Sequence, residues 1–338
     1  MTHTLAVADS GFALGGARFD MWGIRVANAL ESDAAAHALV HTLDDYLAHG
    51  INTVAPFLQG GSTGSANPFD ANGSFTRHTR REESSQTFKG RGDLEGVAVH
   101  NAHLDRLAVL IEEADARAMV VNVGVFYQVR IRQLTDEAAV IAAAQAVARW
   151  LSGKGYRNVF VDLVNEYGHP GFAEMPLCYG RSARYSADGG GELIRAFKRT
   201  APHLPVSISD IAPRPICFPS ADLVLMHSPF DPVAVRADQG REAPVVLNEW
   251  GFQEVGISSD PMNGLYTADD AHKWERTIET VRAGGGFVFY HSAWKQHLTE
   301  HGGPHFELGP EGAQPRDPHG STPSDHWYFD LVQRLRAS

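Results

Sequence analysis

The sequence has few cysteines and no excess of basic residues. Two of its 338 residues are cysteine, Cys178 and Cys217, and neither belongs to a CxxC pair. Two cysteines in a chain of this length do not make a disulfide framework, so we expect reduced thiols. Acidic residues outnumber basic ones by 40 to 29, which gives a formal net charge of −11. With no Lys/Arg-rich run, neither nucleic acid nor an anionic membrane surface is an expected partner.

Long apolar runs and cofactor-binding motifs are also absent from the sequence. No stretch approaches the ~20 apolar residues of a membrane-spanning helix. The first residues lack the basic region and apolar core of a signal peptide, so a cytoplasmic location is expected. No GxGxxG follows the first predicted strand, and no GxxxxGK[ST] or HExxH occurs. The sequence therefore predicts no nucleotide cofactor and no bound metal.

What the sequence does contain is a regular alternation of strand and helix patterns. Eight strands are predicted, at 20–26, 51–57, 119–126, 159–166, 204–209, 221–227, 244–249 and 287–291. Helical patterns fill most of the gaps, and a last helix is predicted over 324–336. This alternation predicts a single (β/α)8 barrel domain (TIM barrel) over residues 1–338, with a doubly wound open sheet as the alternative.

Three long loops and a terminal hairpin interrupt this regular pattern. Residues 1–19 contain a predicted hairpin around Gly15-Gly16. Residues 58–100 follow strand two with no helix or strand period, and long loops also follow strands four and eight. An ordered lid and a surface insertion both remain possible for 58–100. Loops at these positions would wall a pocket at one end of the barrel.

Polar residues gather where the predicted strands end, and in a (β/α)8 barrel those ends line the active site. Strand four ends in Asn165-Glu166 and strand seven in Asn248-Glu249, each after an apolar run. Two carboxylates at two strand ends predict one site served by both. The other candidate substrate-binding residues are Arg25, Asn28, Gln59, Tyr127, His227, Tyr290, His291 and Trp294. Amides, carboxylates and aromatic rings of this kind suit a carbohydrate substrate.

The two glutamates carry a resemblance to a known clan. Asn165-Glu166 on strand four and Glu249 on strand seven resemble the signature of the retaining (β/α)8 glycoside hydrolases that include the cellulase family. The resemblance implies that Glu166 is the general acid/base and Glu249 the nucleophile. Strand two lacks the arginine that the cellulase family usually has near the nucleophile. Either Arg25 on strand one replaces it, or the resemblance is to another family of the clan.

The chemistry of glycoside cleavage assigns roles to these side chains. The oxocarbenium-like transition state needs a proton donor, here Glu166, and an anion, here Glu249. Asn165 would bind the sugar 2-hydroxyl. His227 or Tyr290 would hold Glu249 in line, and Trp294 would be a stacking platform. A walled pocket favours exo-action on β-linked glycosides or small oligosaccharides.

Two other functions remain open at this level. A metal-dependent sugar isomerase or aldolase would need carboxylates and histidines around one divalent ion. His297, His301 and His305 are spaced by four residues, but Gly302-Gly303-Pro304 would break a helix there. A non-catalytic sugar-binding barrel would bind saccharides without turnover. Fold analogy does not choose among the three functions, and the carboxylates of strands four and seven favour the glycosidase.

Overall fold

The computed structural model describes residues 2–61, 64, 67–76, 78–79, 99–178, 188–210, 218–228, 231–251, 268–296, 304–309 and 326–337. The strands are Leu5–Ala8 (β1), Gly11–Leu14 (β2), Ala17–Phe19 (β3), Trp22–Arg25 (β4), Thr53–Ala55 (β5), His78–Thr79 (β6), Val99–His100 (β7), Val120–Phe126 (β8), Val159–Val164 (β9), Val206–Ser207 (β10), Ser209–Asp210 (β11), Val224–Met226 (β12), Val245–Gly251 (β13) and Phe287–His291 (β14). The α-helices are Asp33–Ala48 (α1), Ala102–Ala116 (α2), Glu137–Lys154 (α3), Asp188–Thr200 (α4), Pro232–Gln239 (α5), Ala268–Ala283 (α6), Ala293–Gln296 (α7) and His326–Ala337 (α8).

Nine parallel strands form a nearly closed barrel, which confirms the predicted (β/α)8 fold. Their order is β10-β9-β8-β5-β4-β14-β13-β12-β11. The two ends of this list, β10 and β11, are consecutive in the chain and together form the predicted fifth strand. The prediction of one continuous strand there is wrong: β10 pairs with β9, and β11 pairs with β12. The fifth strand thus joins both neighbours by changing partner at Ile208.

A buried carboxylate lies at this change of partner. The Oδ1 atom of Asp162, on β9, accepts a hydrogen bond of 3.0 Å from the backbone N–H of Ser209. The hydroxyl of Ser209 donates to the carbonyl of Val164 over 3.0 Å. A backbone N–H buried inside the barrel without a hydrogen-bond partner would be destabilising. The side chain of Asp162 therefore accepts from Ser209 in place of a backbone carbonyl of a neighbouring strand.

Side chains alternate between the barrel interior and the helix layer. Inward-facing residues of the lower barrel form one cluster, which includes Met21, Ala55, Val120, Phe160, Leu223, Leu225, Val246, Phe287 and Phe289. Outward-facing neighbours such as Ile24, Val54 and Val288 pack in the larger cluster beneath the helices. Because side chains alternate along each strand, only every second residue near the end of a strand points into the mouth of the barrel.

The N-terminal segment closes the other end of the barrel. The predicted hairpin is larger than expected, because β1 adds a third antiparallel strand to β2 and β3. Gly15 and Gly16, in the turn between β2 and β3, have φ angles of 60° and 86°, as a type I′ turn requires. The ring of Phe12 lies 5.0 Å from that of Phe287 and 6.1 Å from that of Phe160. This small sheet therefore covers the lower core.

Helix ends follow the local sequence signals. The Ser32 side chain caps α1 by accepting from the backbone N–H of Ala35 over 3.1 Å. Helix α3 ends at Gly155, whose φ of 74° is left-handed. The prediction of no strand over 58–100 is wrong, because β6 and β7 lie in this segment and pair antiparallel. Its described part packs on the barrel through Phe69, whose ring lies 5.4 Å from Phe75 and 6.0 Å from Phe126. No helix in the described ranges is long and apolar enough to cross a membrane.

The barrel interior tolerates no added atom at Gly23. A Cβ built there would lie 2.1 Å from the ring of Phe289, on the neighbouring strand β14. We expect Gly23→Ala to lower the free energy of unfolding by about 2 kcal/mol, as overpacking usually does. Urea denaturation of wild type and variant measures this loss.

Gly153 provides the control, because a Cβ at this position in α3 meets nothing within 4 Å. Gly153→Ala should leave stability unchanged or raise it by up to ~1 kcal/mol through helix propensity. Equal stability of the Gly23 variant and wild type would contradict the packing of the interior described above.

Candidate active site

Arg25, at the end of β4, lies at the centre of the barrel mouth and is fully buried. Its Nη2 atom donates to Oδ1 of Asn165 and lies 3.1 Å from Oε2 of Glu249. Its Nε atom donates to Oε1 of Gln296 over 2.9 Å. The guanidinium carbon lies 4.4 Å from the centre of the Phe57 ring, which gives a cation–π contact. One side chain from the first barrel strand thus contacts groups that follow the second, fourth, seventh and eighth.

Glu249 lies at a register shift in β13 between Leu247 and Trp250. Such a bulge lets two consecutive residues, Asn248 and Glu249, both address the interior. The Asn248 amide donates to Oδ2 of Asp162 over 3.1 Å, deeper in the barrel. The side chain of Glu249 is 8% exposed.

Four cationic or polar groups offset the burial of Glu249. Its Oε2 faces Nδ1 of His227 at 3.2 Å in addition to Arg25, and its Oε1 lies 3.5 Å from Nδ1 of His291. The Gln296 amide donates to Oε1 over 3.4 Å. Burial raises the pKa of this carboxyl, but Arg25, His227 and His291 outweigh burial and lower the pKa to about 2. Glu249 is therefore ionised at neutral pH.

Glu166 lies one residue beyond Asn165, where β9 has ended, and its backbone has a φ of 59°. A left-handed backbone is strained for a residue with a side chain and is typical of functional positions. The Gln128 amide donates to Oε2 of Glu166, and Nδ1 of His227 lies 3.4 Å from its Oε1. The side chain is 23% exposed, so Glu166 is open to the mouth of the barrel.

His227 lies between the two glutamates, after β12. Its Nδ1 is within 3.4 Å of one carboxylate oxygen of each, and the ring is buried. Burial lowers the pKa of His227, whereas the Glu249 and Glu166 carboxylates raise it, and the net direction is upward. A protonated imidazole at this position faces one oxygen of each carboxyl group and stabilises the Glu249 anion.

The two candidate catalytic carboxylates are close together. One oxygen of Glu166, one oxygen of Glu249 and one nitrogen of His227 all lie within 4.8 Å of one another. Three such ligand atoms could hold a divalent cation. However, the Glu249 oxygen nearest to His227 is also the one that Arg25 approaches at 3.1 Å, and a guanidinium there disfavours a second cation.

The other predicted site residues fall into two groups: some lie beside Arg25 and Glu249, and others bind loop segments of the protein. Asn165 and His291 are buried beside Arg25 and Glu249, as the strand-end pattern predicted. Asn28 and Gln59 are fully buried and bind mainly protein partners: Asn28 binds Gly61 and Gln296, and Gln59 accepts from the backbone N–H of Tyr127 over 3.0 Å. These two amides therefore tie together loops at the mouth of the barrel.

Tyr290 requires a correction. It was predicted at the site, but it points away from the barrel interior and stacks on Tyr328 of α8, with ring centres 4.5 Å apart. The inward set of β14 is Phe287, Phe289 and His291, so Tyr290 falls on the other face. The side chain of Trp294, in α7, and residues His297 and His301 lie outside the described part of the chain.

Gln128 contacts Glu166, Gln296 contacts Glu249, and Asp162 contacts Asn248. Gln128 stands at a strand end in the sequence but was not chosen as a substrate-binding residue, and Asp162 and Gln296 were not proposed at all. Asp162 is the one acidic residue in the apolar strand β9 and lies on its inward face, so the sequence could have indicated it as a site residue. Burial raises the pKa of Asp162 to about 6, even though Arg25 lowers it. Gln128 comes directly after strand three, and Gln296 lies in α7 beyond strand eight. Gln296 carried no recognisable signal, because short helices after barrel strands have no fixed spacing.

Sequence comparison finds no matching protein-family model and no matching curated protein. Structure comparison finds many matches, of which three are representative. A candidate glycoside hydrolase from Bacteroides vulgatus has a TM-score of 0.66 at 13% identity, covering 99% of this chain and 61% of that chain. The β-1,4-D-mannanase of Cryptopygus antarcticus has 0.60 at 11%, covering 100% and 95%. The exo-β-1,4-mannosidase of Opitutaceae bacterium strain TAV5 has 0.57 at 14%, covering 98% and 62%.

The chain shares the (β/α)8 fold of these glycoside hydrolases. This is the fold that the resemblance of the two strand ends implied. The chain spans 61% and 62% of the length of two of these structures, so they contain segments with no counterpart here.

The lowered pKa of Glu249 predicts a pH-dependent contribution to stability. A folded-state pKa of about 2, against an ordinary 4.5, stabilises the fold by about 3 kcal/mol when pH is above 4.5. This contribution is lost as pH falls from 4.5 towards 2. We therefore expect the stability difference between wild type and Glu249→Gln to shrink over that range, as measured by urea denaturation at pH 7, 5, 4 and 3. A difference that does not change with pH would contradict the ion pairing of Glu249.

Proposed function

We propose that the protein is a retaining glycoside hydrolase acting on β-linked glycosides, with Glu249 as nucleophile and Glu166 as general acid/base. The observation that carries the proposal is the approach of the two carboxylates to within 4.8 Å, oxygen to oxygen. Retaining enzymes hold their carboxyl groups about 5–5.5 Å apart and inverting ones about 6.5–9.5 Å. An oxygen-to-oxygen approach of this size lies nearer to the retaining range than to the inverting range.

The different environments of the two glutamates support the assignment of roles. Glu249 is buried against Arg25, His227 and His291, which keep it anionic and held in place, as a nucleophile requires. Glu166 is more exposed, and one of its two polar partners is the neutral amide of Gln128. A group that gives up and regains a proton in each cycle benefits from this access.

The reaction proceeds in two displacements. In the first, a carboxylate oxygen of Glu249 bonds to the anomeric carbon while the glycosidic C–O bond breaks, and Glu166 gives its proton to the departing oxygen. In the second, Glu166 takes a proton from water, the water oxygen bonds to the anomeric carbon, and Glu249 leaves as carboxylate. Asn165, fixed by Arg25 through its Oδ1, keeps its amide N–H group for the sugar 2-hydroxyl.

The substrate class is proposed from the structural neighbours and the loops. Neighbours include β-mannanases, an exo-β-1,4-mannosidase and a β-glucanase. Long segments separate β5 from α2, β9 from α4 and β14 from α8, and insertions after these strands favour a pocket and exo-action on small β-glycosides. Aryl β-mannosides and aryl β-glucosides are therefore the first substrates to assay.

A metal-dependent sugar isomerase or aldolase is the second candidate function, favoured by the three convergent ligand atoms of Glu166, His227 and Glu249. It predicts activity that a chelator removes and Mn²⁺ or Mg²⁺ restores. The glycosidase predicts turnover unaffected by a chelator.

Loss of either carboxylate should stop turnover. We expect Glu166→Gln and Glu249→Ala each to lower kcat on an aryl β-glycoside by at least ~10³-fold, because proton donation or covalent catalysis is lost. Azide added to Glu249→Ala should yield a glycosyl azide of inverted anomeric configuration, detected by proton NMR. The exposed Glu242→Gln, before β13, is the matched control and should keep wild-type kcat. Normal turnover by either site variant would refute the proposal.

Exo-action makes a separate prediction. A reducing-end-labelled β-linked oligosaccharide should shorten by one sugar at a time from the unlabelled end, as followed by mass spectrometry. A polysaccharide should lose little viscosity in the same time. A rapid fall in viscosity would show internal cleavage and overturn the exo assignment while leaving the glycosidase assignment intact.

A further inference from the structure

Gln296 connects the two charged groups at the centre of the candidate site. Its Oε1 accepts from Nε of Arg25 over 2.9 Å, and its Nε2 donates to Oε1 of Glu249 over 3.4 Å. The side chain is fully buried. No residue assignment derived from the sequence includes it.

The chemistry of its partners fixes the orientation of this amide. Arg25 only donates hydrogen bonds, and an ionised Glu249 only accepts them. Rotating the amide by 180° would place its NH₂ group against the guanidinium and its oxygen against the carboxylate. The observed orientation is therefore the one that satisfies both partners.

Gln296 also completes the restraint on the Glu249 carboxylate. The Oε2 atom is held by Arg25 and His227, whereas Oε1 faces Gln296 and His291. With both oxygens held, the carboxylate cannot rotate about its last carbon–carbon bond. A nucleophile fixed in this way is already oriented for attack, so less of the activation free energy arises from orienting it.

The backbone of Gln296 is restrained as well. Its N–H donates to the carbonyl of Ser292 over 3.0 Å, and its carbonyl accepts from the Asn28 amide over 2.7 Å. Asn28 in turn accepts from the backbone N–H of Gly61 over 2.6 Å, in the loop after β5. Helix α7 is thereby tied to a second loop at the mouth of the barrel, which leaves the glutamine little freedom to move.

We propose that Gln296 is a positioning residue for the nucleophile, acting through its amide bridge between Arg25 and Glu249. The inference rests on the proposed glycosidase function and deepens it. A neutral bridge is required, since a carboxylate would repel Glu249 and an ammonium would compete with Arg25 for it. Glutamine supplies an acceptor and a donor without adding charge.

Two variants test the bridge. Gln296→Leu removes both hydrogen bonds at similar volume, and Gln296→Glu keeps an acceptor for Arg25 but places a second anion beside Glu249. On an aryl β-glycoside, we expect Gln296→Leu to lower kcat about 10–100-fold with KM changed less than about threefold, because mispositioning acts on the chemical step. The acid limb of the kcat/KM profile should move to higher pH in Gln296→Leu and further in Gln296→Glu. Both changes disfavour an ionised Glu249.

The controls separate positioning from a loss of structure. Gln333→Leu, in α8, removes an exposed amide that donates to the carbonyl of Ala48, and it should keep the wild-type profile. A wild-type acid limb in Gln296→Leu, whatever its kcat, would overturn the inference. If Gln296→Leu does not fold, an unshifted acid limb in Gln296→Glu would overturn it. An inactive wild-type enzyme would instead refute the proposed function itself.

Discussion

The ion pair between Arg25 and Glu249 is the interaction on which the rest of the site depends. A guanidinium with no exposure to water is tolerated only because Glu249, Asn165, Gln296 and the Phe57 ring surround it. Each of these partners comes from a different strand or from the segment that follows one. Correct closure of the barrel is therefore a condition for neutralising this one buried charge.

The barrel and its two carboxylates could be predicted from the sequence, because both depend on local periodicity. Apolar runs gave the strands, and a glutamate after such a run gave each carboxylate. The same alternation places Tyr290 on the outward face of β14, because Phe287, Phe289 and His291 form the inward face. Tyr290 packs on Tyr328, in a helix almost 40 residues further along the chain, and no local pattern reports this contact.

Other features depend on contacts between distant segments and were not predictable. The fifth strand divides at Ile208 because Asp162 supplies the hydrogen-bond acceptor for Ser209, 47 residues away. The sequence shows an acidic residue, Asp162, in β9, but it does not indicate that Ser209 is its hydrogen-bond partner. Gln296 reaches Arg25 from a position 271 residues further along the chain. Spacing within one element cannot encode such pairs, so they appear only when the barrel is assembled.

The three-stranded sheet at the bottom of the barrel has a consequence for the order of folding. Leu5 hydrogen-bonds to the carbonyl of Arg157, and Phe12 packs on Phe160 and Phe287. Residues 5–19 therefore dock on surfaces that are synthesised much later than they are. Contacts of such long sequence separation close large loops and slow folding. The apolar face of this sheet is fully covered only when β14 has joined the barrel, and until then its exposed part is available to chaperones or to aggregation.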